Sequence, residues 1–104
     1  MKKLDFTKNN GLIPAIIQDA KSGDVYMLGY MNGQALEKTK ATGLVHFWSR
    51  SRNKLWMKGE ESGNILKVEE IFVDCDADTI IIKVTLQGNA VCHTGNKTCF
   101  FEKL

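Results

Sequence analysis

Apolar and β-branched residues fall in short runs separated by polar turns, and one stretch breaks that habit. Leu12 to Gln18 is apolar and β-branched, which predicts a strand, and Pro14 within it predicts an edge position. Lys21-Ser22-Gly23-Asp24 is turn chemistry, so Val25 to Met31 reads as the return strand of a hairpin. Asn32 is a helix N-cap residue, and Gly33 to Thr42 is rich in the helix formers Gln, Ala, Leu, Glu and Lys. Gly43 stands where a glycine would end that helix. Val45 to Ser49 and Leu55 to Lys58 read as short strands around the polar turn Arg50 to Lys54. Glu60 to Asn64 is a loop. Ile65 to Cys75 and Thr79 to Gln87 predict two strands joined by a tight turn near Ala77, and Asn89 to Phe101 predicts a Gly/Thr/Cys segment with short extended pieces. The pattern is that of an α+β chain, predominantly antiparallel β with one short helix over residues 33–42.

Length sharpens this picture. The chain has 104 residues, which suits one domain with one modest core, so residues 1–104 are expected to form a single domain. Hydrophobic residues make up 43% and charged residues 25%, as in ordinary soluble globular domains. Met1-Lys2-Lys3 is basic, but Asp5, Lys8, Asn9 and Asn10 interrupt any apolar signal region, and no run approaches a membrane span. A cytoplasmic location with no membrane partner is expected. Three cysteines are an odd number, which excludes a fully paired intrachain disulfide framework. In a reducing compartment such thiols persist as packing groups, redox groups or metal ligands.

Charge adds an asymmetry. The net charge is only +2, too small for a strongly basic nucleic-acid protein. Residues 1–60 nevertheless carry ten basic and five acidic side chains, and residues 61–104 carry four and seven. The acidic excess centres on Asp74-Cys75-Asp76-Ala77-Asp78. On an extended strand Asp74, Asp76 and Asp78 would share one face and Cys75 the other. Three carboxylates together repel one another and need solvent, basic partners or a hard cation such as Mg²⁺ or Ca²⁺; a solvated hairpin tip also satisfies them.

Cys92-His93-Thr94-Gly95 and Cys99 carry the other candidate chemistry. Two thiolates at this spacing bind Zn²⁺ when a third ligand comes from elsewhere, and Cys75 is the remaining cysteine. A three-thiolate site with water in the fourth position would be a catalytic zinc. The alternative is three small buried hydrophobes. His93 suits a fourth ligand, a general acid/base or a surface side chain, whereas His46, within Val45 to Ser49, suits a structural role. Trp48, Ser49, Arg50, Arg52 and Lys58 form a third group. Arg matches phosphate in a bidentate fork, hydroxyls add donors, and indoles stack on heterocycles. Glu60 is a candidate acid or ligand on a loop. Aromatics among basic residues also fit single-stranded nucleic acid, which defines a rival reading as a non-enzymatic zinc module that binds RNA. Solvated charges around core tryptophans and buried cysteines define another, a structural interaction domain.

Taken in order, Gly11 to Asp19, Met27 to Asn32, Phe47 to Arg52, Leu55 to Asn64, Asp74 to Asp78, and Cys92 to Gly95 with Cys99-Phe100 resemble phosphoribosyl-AMP cyclohydrolase, a hydrolase family of histidine biosynthesis. The resemblance covers about residues 6–101. Gly29 stands where alanine is usual and Tyr26 where an aliphatic residue is common. Some relatives carry a C-terminal pyrophosphohydrolase domain, for which a chain ending at Leu104 leaves no room. The resemblance implies an intertwined homodimer with active sites at the subunit interface. It implies one Zn²⁺ per subunit, shared between Cys75 of one chain and Cys92 and Cys99 of the other, and Mg²⁺ at Asp74, Asp76 and Asp78. It further implies a small nucleotide substrate, no nucleic-acid partner, and water addition at C6 that opens the N1–C6 bond of N1-(5-phosphoribosyl)-AMP. His93 and Glu60 are the expected proton-moving groups, with Trp48, Ser49, Arg50, Arg52 and Lys58 on the substrate.

Overall fold

The computed structural model describes residues 3–104, so Met1 and Lys2, with the basic start they contribute, lie outside the described residues. Strand β1 (Ile13–Asp19) turns back into β2 (Val25–Met31), followed by helix α1 (Gly33–Thr42). Strands β3 (His46–Ser49) and β4 (Lys54–Met57) form a separate hairpin, and β5 (Ile65–Val73) precedes β6 (Ile80–Gln87). The four-stranded sheet has the order β2-β1-β6-β5, with β1 and β6 parallel and the other neighbours antiparallel. This is the expected α+β class, with one parallel pair added.

Local chemistry accounts for the helix bounds. The Asn32 side chain accepts from the Ala35 amide at 2.8 Å, satisfying one N–H that the first turn leaves unpaired. Gly43 closes the other end at φ 72°, with its N–H on the Thr39 carbonyl. Thr39 is fully buried, and its hydroxyl accepts from the His46 amide at 3.0 Å and donates to the Ala35 carbonyl at 2.8 Å. The hydroxyl thereby ties the helix to β3. His46 is itself buried, with Nδ1 2.8 Å from the Leu44 carbonyl, in keeping with the structural role read for it.

Alternation places the core. Ile13, Ala15 and Ile17 on β1, Met27 and Met31 on β2, and Ile80, Ile82 and Val84 on β6 are buried on one face. Helix α1 and the β3–β4 hairpin cover that face, with Phe47 and Trp56 packed at 5.3 Å between ring centroids. A Cβ at Gly29 would come within 2.5 Å of the Phe47 ring, so this chain gives the ring the space a side chain would fill. The segment before β3 closes on the far edge of the sheet, where the Val45 amide donates to Leu66 and the Val68 amide to Gly43.

Several sequence expectations are corrected. β1 is not an edge strand: it has β2 on one side and β6 on the other. Pro14 is tolerated because it sits at the start of the strand, and the ladder to β6 begins one residue later, at Ala15 opposite Ile80. β5 ends at Val73, not Cys75. Residues 74–78 therefore form a turn, with Ala77 at φ 62°, and strict alternation of the aspartates does not apply. The segment from Asn89 to Phe101 has turns and bends rather than short strands.

The β1–β2 turn is organised by Asp19. Its carboxylate accepts from the Ser22 and Lys21 amides at 2.7 and 3.1 Å and from the Tyr26 hydroxyl at 3.0 Å. These bonds, led by the Ser22 amide, hold the Asp19 carboxyl below its ordinary value of 3.8. A carboxyl with a depressed folded value contributes stability above the unfolded value and loses it as pH falls through the folded one. Asp19→Asn should accordingly be less stable than wild type in urea melts at neutral pH. The gap should close on acidification below about pH 4; a gap independent of pH would remove Asp19 ionisation from the account.

Candidate active site

The loop after β4 builds a cleft. Gly59 adopts φ 88°, and a Cβ there would run into the carbonyl oxygen of Asn64, so the tight return from Gly59 to Asn64 requires glycine. The Gly63 amide closes that return on the Gly59 carbonyl at 2.8 Å. The Glu60 carboxylate accepts from the Met57 amide at 2.8 Å, which fixes the acid at the loop's start. Around it lies a cleft of about 340 Å³ whose wall includes Arg52, Lys54, Trp56, Lys58, Glu60 and His93. Lys58 also lies 5.9 Å over the Trp56 ring.

The structure divides the substrate residues named from sequence. Arg52 and Lys58 line this cleft with His93 and Glu60. Trp48 and Arg50 line a second, more open hollow of about 550 Å³ with Asn10, Asn32 and Asn53, and the Arg50 guanidinium lies 4.0 Å over the Tyr30 ring. Ser49 lines neither. Its hydroxyl accepts from the Arg52 amide at 3.2 Å and so shapes the turn that presents Arg52.

Cys92 and Cys99 come together from one chain. The Val91 and Cys92 amides donate to the Lys97 and Asn96 carbonyls, folding residues 91–97 back on themselves. Cys99 is laid on the free edge of β2 by its amide, 2.8 Å from the Tyr26 carbonyl, with the Thr98 hydroxyl on the Val25 carbonyl at 2.7 Å. The Thr94 hydroxyl donates to the Cys92 sulfur at 3.0 Å. That bond, then the Thr94 amide, the Cys99 thiol and the Lys58 ammonium, pull the Cys92 thiol below its ordinary value of 9.0. Desolvation first, and then the bond to Cys92, push Cys99 up. One sulfur is thus biased toward thiolate beside a second, with a cation nearby.

Cys75 does not join them within the chain. It lies in the turn that opens β6, whereas Cys92 and Cys99 lie in the segment after β6 ends. Cys99, bonded at Tyr26, is level with the middle of β6 and two strands across from it, while Cys75 lies before that strand begins. Among the described residues the one group of three or more His, Cys, Asp or Glu ligand atoms drawn together is Asp74, Asp76 and Asp78, all within 4.8 Å of one another. The turn gathers them by folding back: the Asp74 carboxylate accepts from the Asp78 amide at 3.1 Å and the Thr79 amide at 3.3 Å. Lys8, which sequence reasoning missed, sets its ammonium 3.2 Å from Asp78 and 3.4 Å from Asp76. No local pattern signals a partner about seventy positions away. That contact is the first cause lowering Asp78 and raising Lys8.

A family model described as phosphoribosyl-AMP cyclohydrolase matches residues 27–101. Over 103 residues the chain is 57% identical to the phosphoribosyl-AMP cyclohydrolase of Geotalea uraniireducens (strain Rf4), covering 99% of this chain and 82% of that one. It is 52% identical over 105 residues to the protein of that name from Desulfotalea psychrophila (strain LSv54 / DSM 12343), covering 100% and 83%. It is 56% identical over 101 residues to that of Solibacter usitatus (strain Ellin6076), covering 97% and 80%. With a small α+β fold and a polar cleft on its loop side, the matches set the class as a hydrolase. The chain belongs to the phosphoribosyl-AMP cyclohydrolase family. Among the described residues no helix is long and apolar enough to cross a membrane.

The hydrogen bond on Cys92 yields a direct test. In chelator-treated protein, Thr94→Val should move the pH of half-maximal Cys92 alkylation upward, since the hydroxyl that donates to its sulfur is gone. Alkylation resolved by peptide mass spectrometry reads this out; an unchanged profile would show that the hydroxyl does not set the thiol's reactivity.

Proposed function

We propose that the chain hydrolyses N1-(5-phosphoribosyl)-AMP in L-histidine biosynthesis, opening the N1–C6 bond of the adenine ring to give the formimino aminoimidazole carboxamide ribotide. The observation that carries this reading is the gathering of Arg52, Lys54, Lys58, Glu60 and His93 around one cleft. Three cations suit a phosphate-bearing substrate. Lys58 acts electrostatically on both Cys92 and Cys99, which supports one reaction centre shared by cleft and thiols.

The donor set fits zinc: two neighbouring sulfurs, one biased toward thiolate. Cys92 and Cys99 of one chain would hold it with Cys75 of a second copy, because among the described residues Cys75 is not drawn into one ligand group with the other two thiols of its own chain. Zinc with three thiolates and one open position supplies an activated water near neutral pH. The chain's own groups do the rest. Water adds its oxygen to C6, one of its two protons ends on the exocyclic nitrogen to make the carboxamide NH2, the N1–C6 bond breaks, and the electron pair stays on N1. His93, on the cleft wall, delivers the proton that N1 takes up. Glu60, anchored on the Met57 amide, takes a proton from the attacking side. Arg52 and Lys58 hold phosphate, and the hollow containing Trp48 and Arg50 receives the remaining part of the nucleotide.

The oxygen donors of Asp74, Asp76 and Asp78 suit Mg²⁺, and the Lys8 ammonium between two of them is a stand-in cation. A divalent ion has to displace it. Lys8→Met should therefore bind Mn²⁺ severalfold more tightly than wild type in an electron paramagnetic resonance titration. Weaker or unchanged affinity would mean that Lys8 does not compete.

Cys92→Ser should lose zinc by metal analysis, and turnover by more than the ~10–100-fold of an outer-shell change, in the ultraviolet assay with phosphoribosyl-AMP. Full activity in the zinc-free variant would sink the zinc reading. Mixing inactive Cys75→Ala chains with inactive Cys92→Ala chains should restore activity, since one of the two sites in each mixed dimer keeps all three thiols. No recovery in verified heterodimers would place the site within one chain.

A further inference from the structure

Two stretches of chain that are distant in sequence make the cleft wall. Lys58 to Ser62 come from the loop after β4, and His93 comes from the segment after β6. Each stretch has its own anchor: the Glu60 carboxylate on the Met57 amide, and Cys99 on the Tyr26 carbonyl. Neither anchor sets the distance between the two stretches. The β5–β6 ladder runs up to them but stops at Ile65 opposite Gln87. Beyond it the half-buried Asn64 makes a connection. Its side-chain oxygen Oδ1 accepts from the Asn89 amide at 3.1 Å.

Two glycines shape the space that Asn64 fills, one on each stretch. Gly59 lies against the Asn64 carbonyl, which a Cβ would strike. Gly88 lies against the Asn64 side chain, and a Cβ there would run into Oδ1 and come within 2.9 Å of Cα. The Asn64 amide donates to the Ser62 hydroxyl at 3.2 Å, which ties the residue back to its own loop. Gly59 adjoins Glu60 directly. Gly88 and Asn89 lead to His93 through Ala90, Val91 and Cys92, all of them buried. Little slack therefore separates this clasp from either group.

We infer that Asn64 is a positioning residue for the reaction: its Oδ1 locks the loop bearing Glu60 to the segment bearing His93, and so sets the separation of the two groups that exchange protons with the substrate. A misplacement of about 1 Å at a reacting centre costs ~100-fold in rate, whereas one side-chain-to-backbone hydrogen bond is a small part of a fold's stability. Turnover should therefore respond to Asn64 far more than folding does. The inference rests on the reading of this cleft as the hydrolytic site.

Asn64→Leu keeps the size of the side chain and removes the acceptor, and Asn64→Asp keeps an oxygen in its place. Thermal melts and metal analysis establish that each variant folds and holds the same metal as wild type. Asn64→Leu should lower kcat for phosphoribosyl-AMP about tenfold or more with KM within about twofold, and Asn64→Asp should restore most of that loss. Exchange of the Asn89 amide, followed by nuclear magnetic resonance, should quicken in Asn64→Leu and slow again in Asn64→Asp. The decisive readout is a cycle with Glu60→Gln. In that background Asn64→Leu should cost much less, because the separation it disturbs no longer serves a proton transfer; a merely structural fault costs the same factor in both backgrounds. The positioning role is overturned by an unchanged kcat, an effect on KM alone, no rescue by Asn64→Asp, loss of metal in Asn64→Leu, or equal factors in the cycle. If Asn64→Leu does not fold, the smaller Asn64→Ala takes its place in every arm. A wild type that leaves phosphoribosyl-AMP untouched would sink the functional reading and the positioning role with it. The Asn89 exchange would still report the clasp, so that failure is distinguishable from a failure of Asn64 alone.

Discussion

Two parallel strands cannot be joined by a tight turn, and β1 and β6 are parallel neighbours from Ala15–Ile80 to Asp19–Val84. Everything from Ala20 to Thr79 is therefore one long connection between them. It contains the hairpin partner β2, the helix, the β3–β4 hairpin and β5. The connection spends its bulk on a single face, where Phe47, Leu36 and Met31 meet the buried residues of β1 and β6. The core, the cleft loop and the bare outer face all follow from that pairing. A sheet covered on one side keeps alternation in its strands, and here the outward positions of the middle rows are apolar as well.

The same connection explains how the reactive groups are distributed. The cleft lies on the loop side of the β3–β4 hairpin, reached by His93 from the segment after β6. The acidic turn and Cys75 lie where β5 gives way to β6. Backbone hydrogen bonds hold each group: Cys99 on the Tyr26 carbonyl, Glu60 on the Met57 amide, and the Asp78 amide on Asp74. None of these holds depends on a second ionised group, so the site is organised before any cation is considered.

Local features were legible in the sequence where one residue decides the geometry. Asn32 and Gly43 bracket the helix at the expected bounds, because capping needs a side-chain acceptor at one end and a left-handed residue at the other. Strand ends were read too long at Cys75, because alternation alone does not reveal that Ala77 takes a positive φ and that Asp74 folds back on the next amides. Pro14 misled because an edge strand and the first turns of a central strand impose the same demand on a residue without an N–H. Trp48 and Arg52 line different clefts, a division that their closeness in sequence does not reveal. Lys8 was invisible, since its partners are set by the course of the N-terminal segment, whose Asp5 amide bonds the Ala77 carbonyl.

The strand between Cys75 and the other two thiols has a cost that is paid in molecules rather than residues. On the shared-site reading, the three thiols of one chain never meet, so a solitary chain is inert however well it folds. At low abundance, functional sites then accumulate with the square of the chain concentration, and proportionality returns only once association saturates. Capacity in the cell would respond to expression more steeply than a monomer's does, and a modest fall in synthesis would be felt twice.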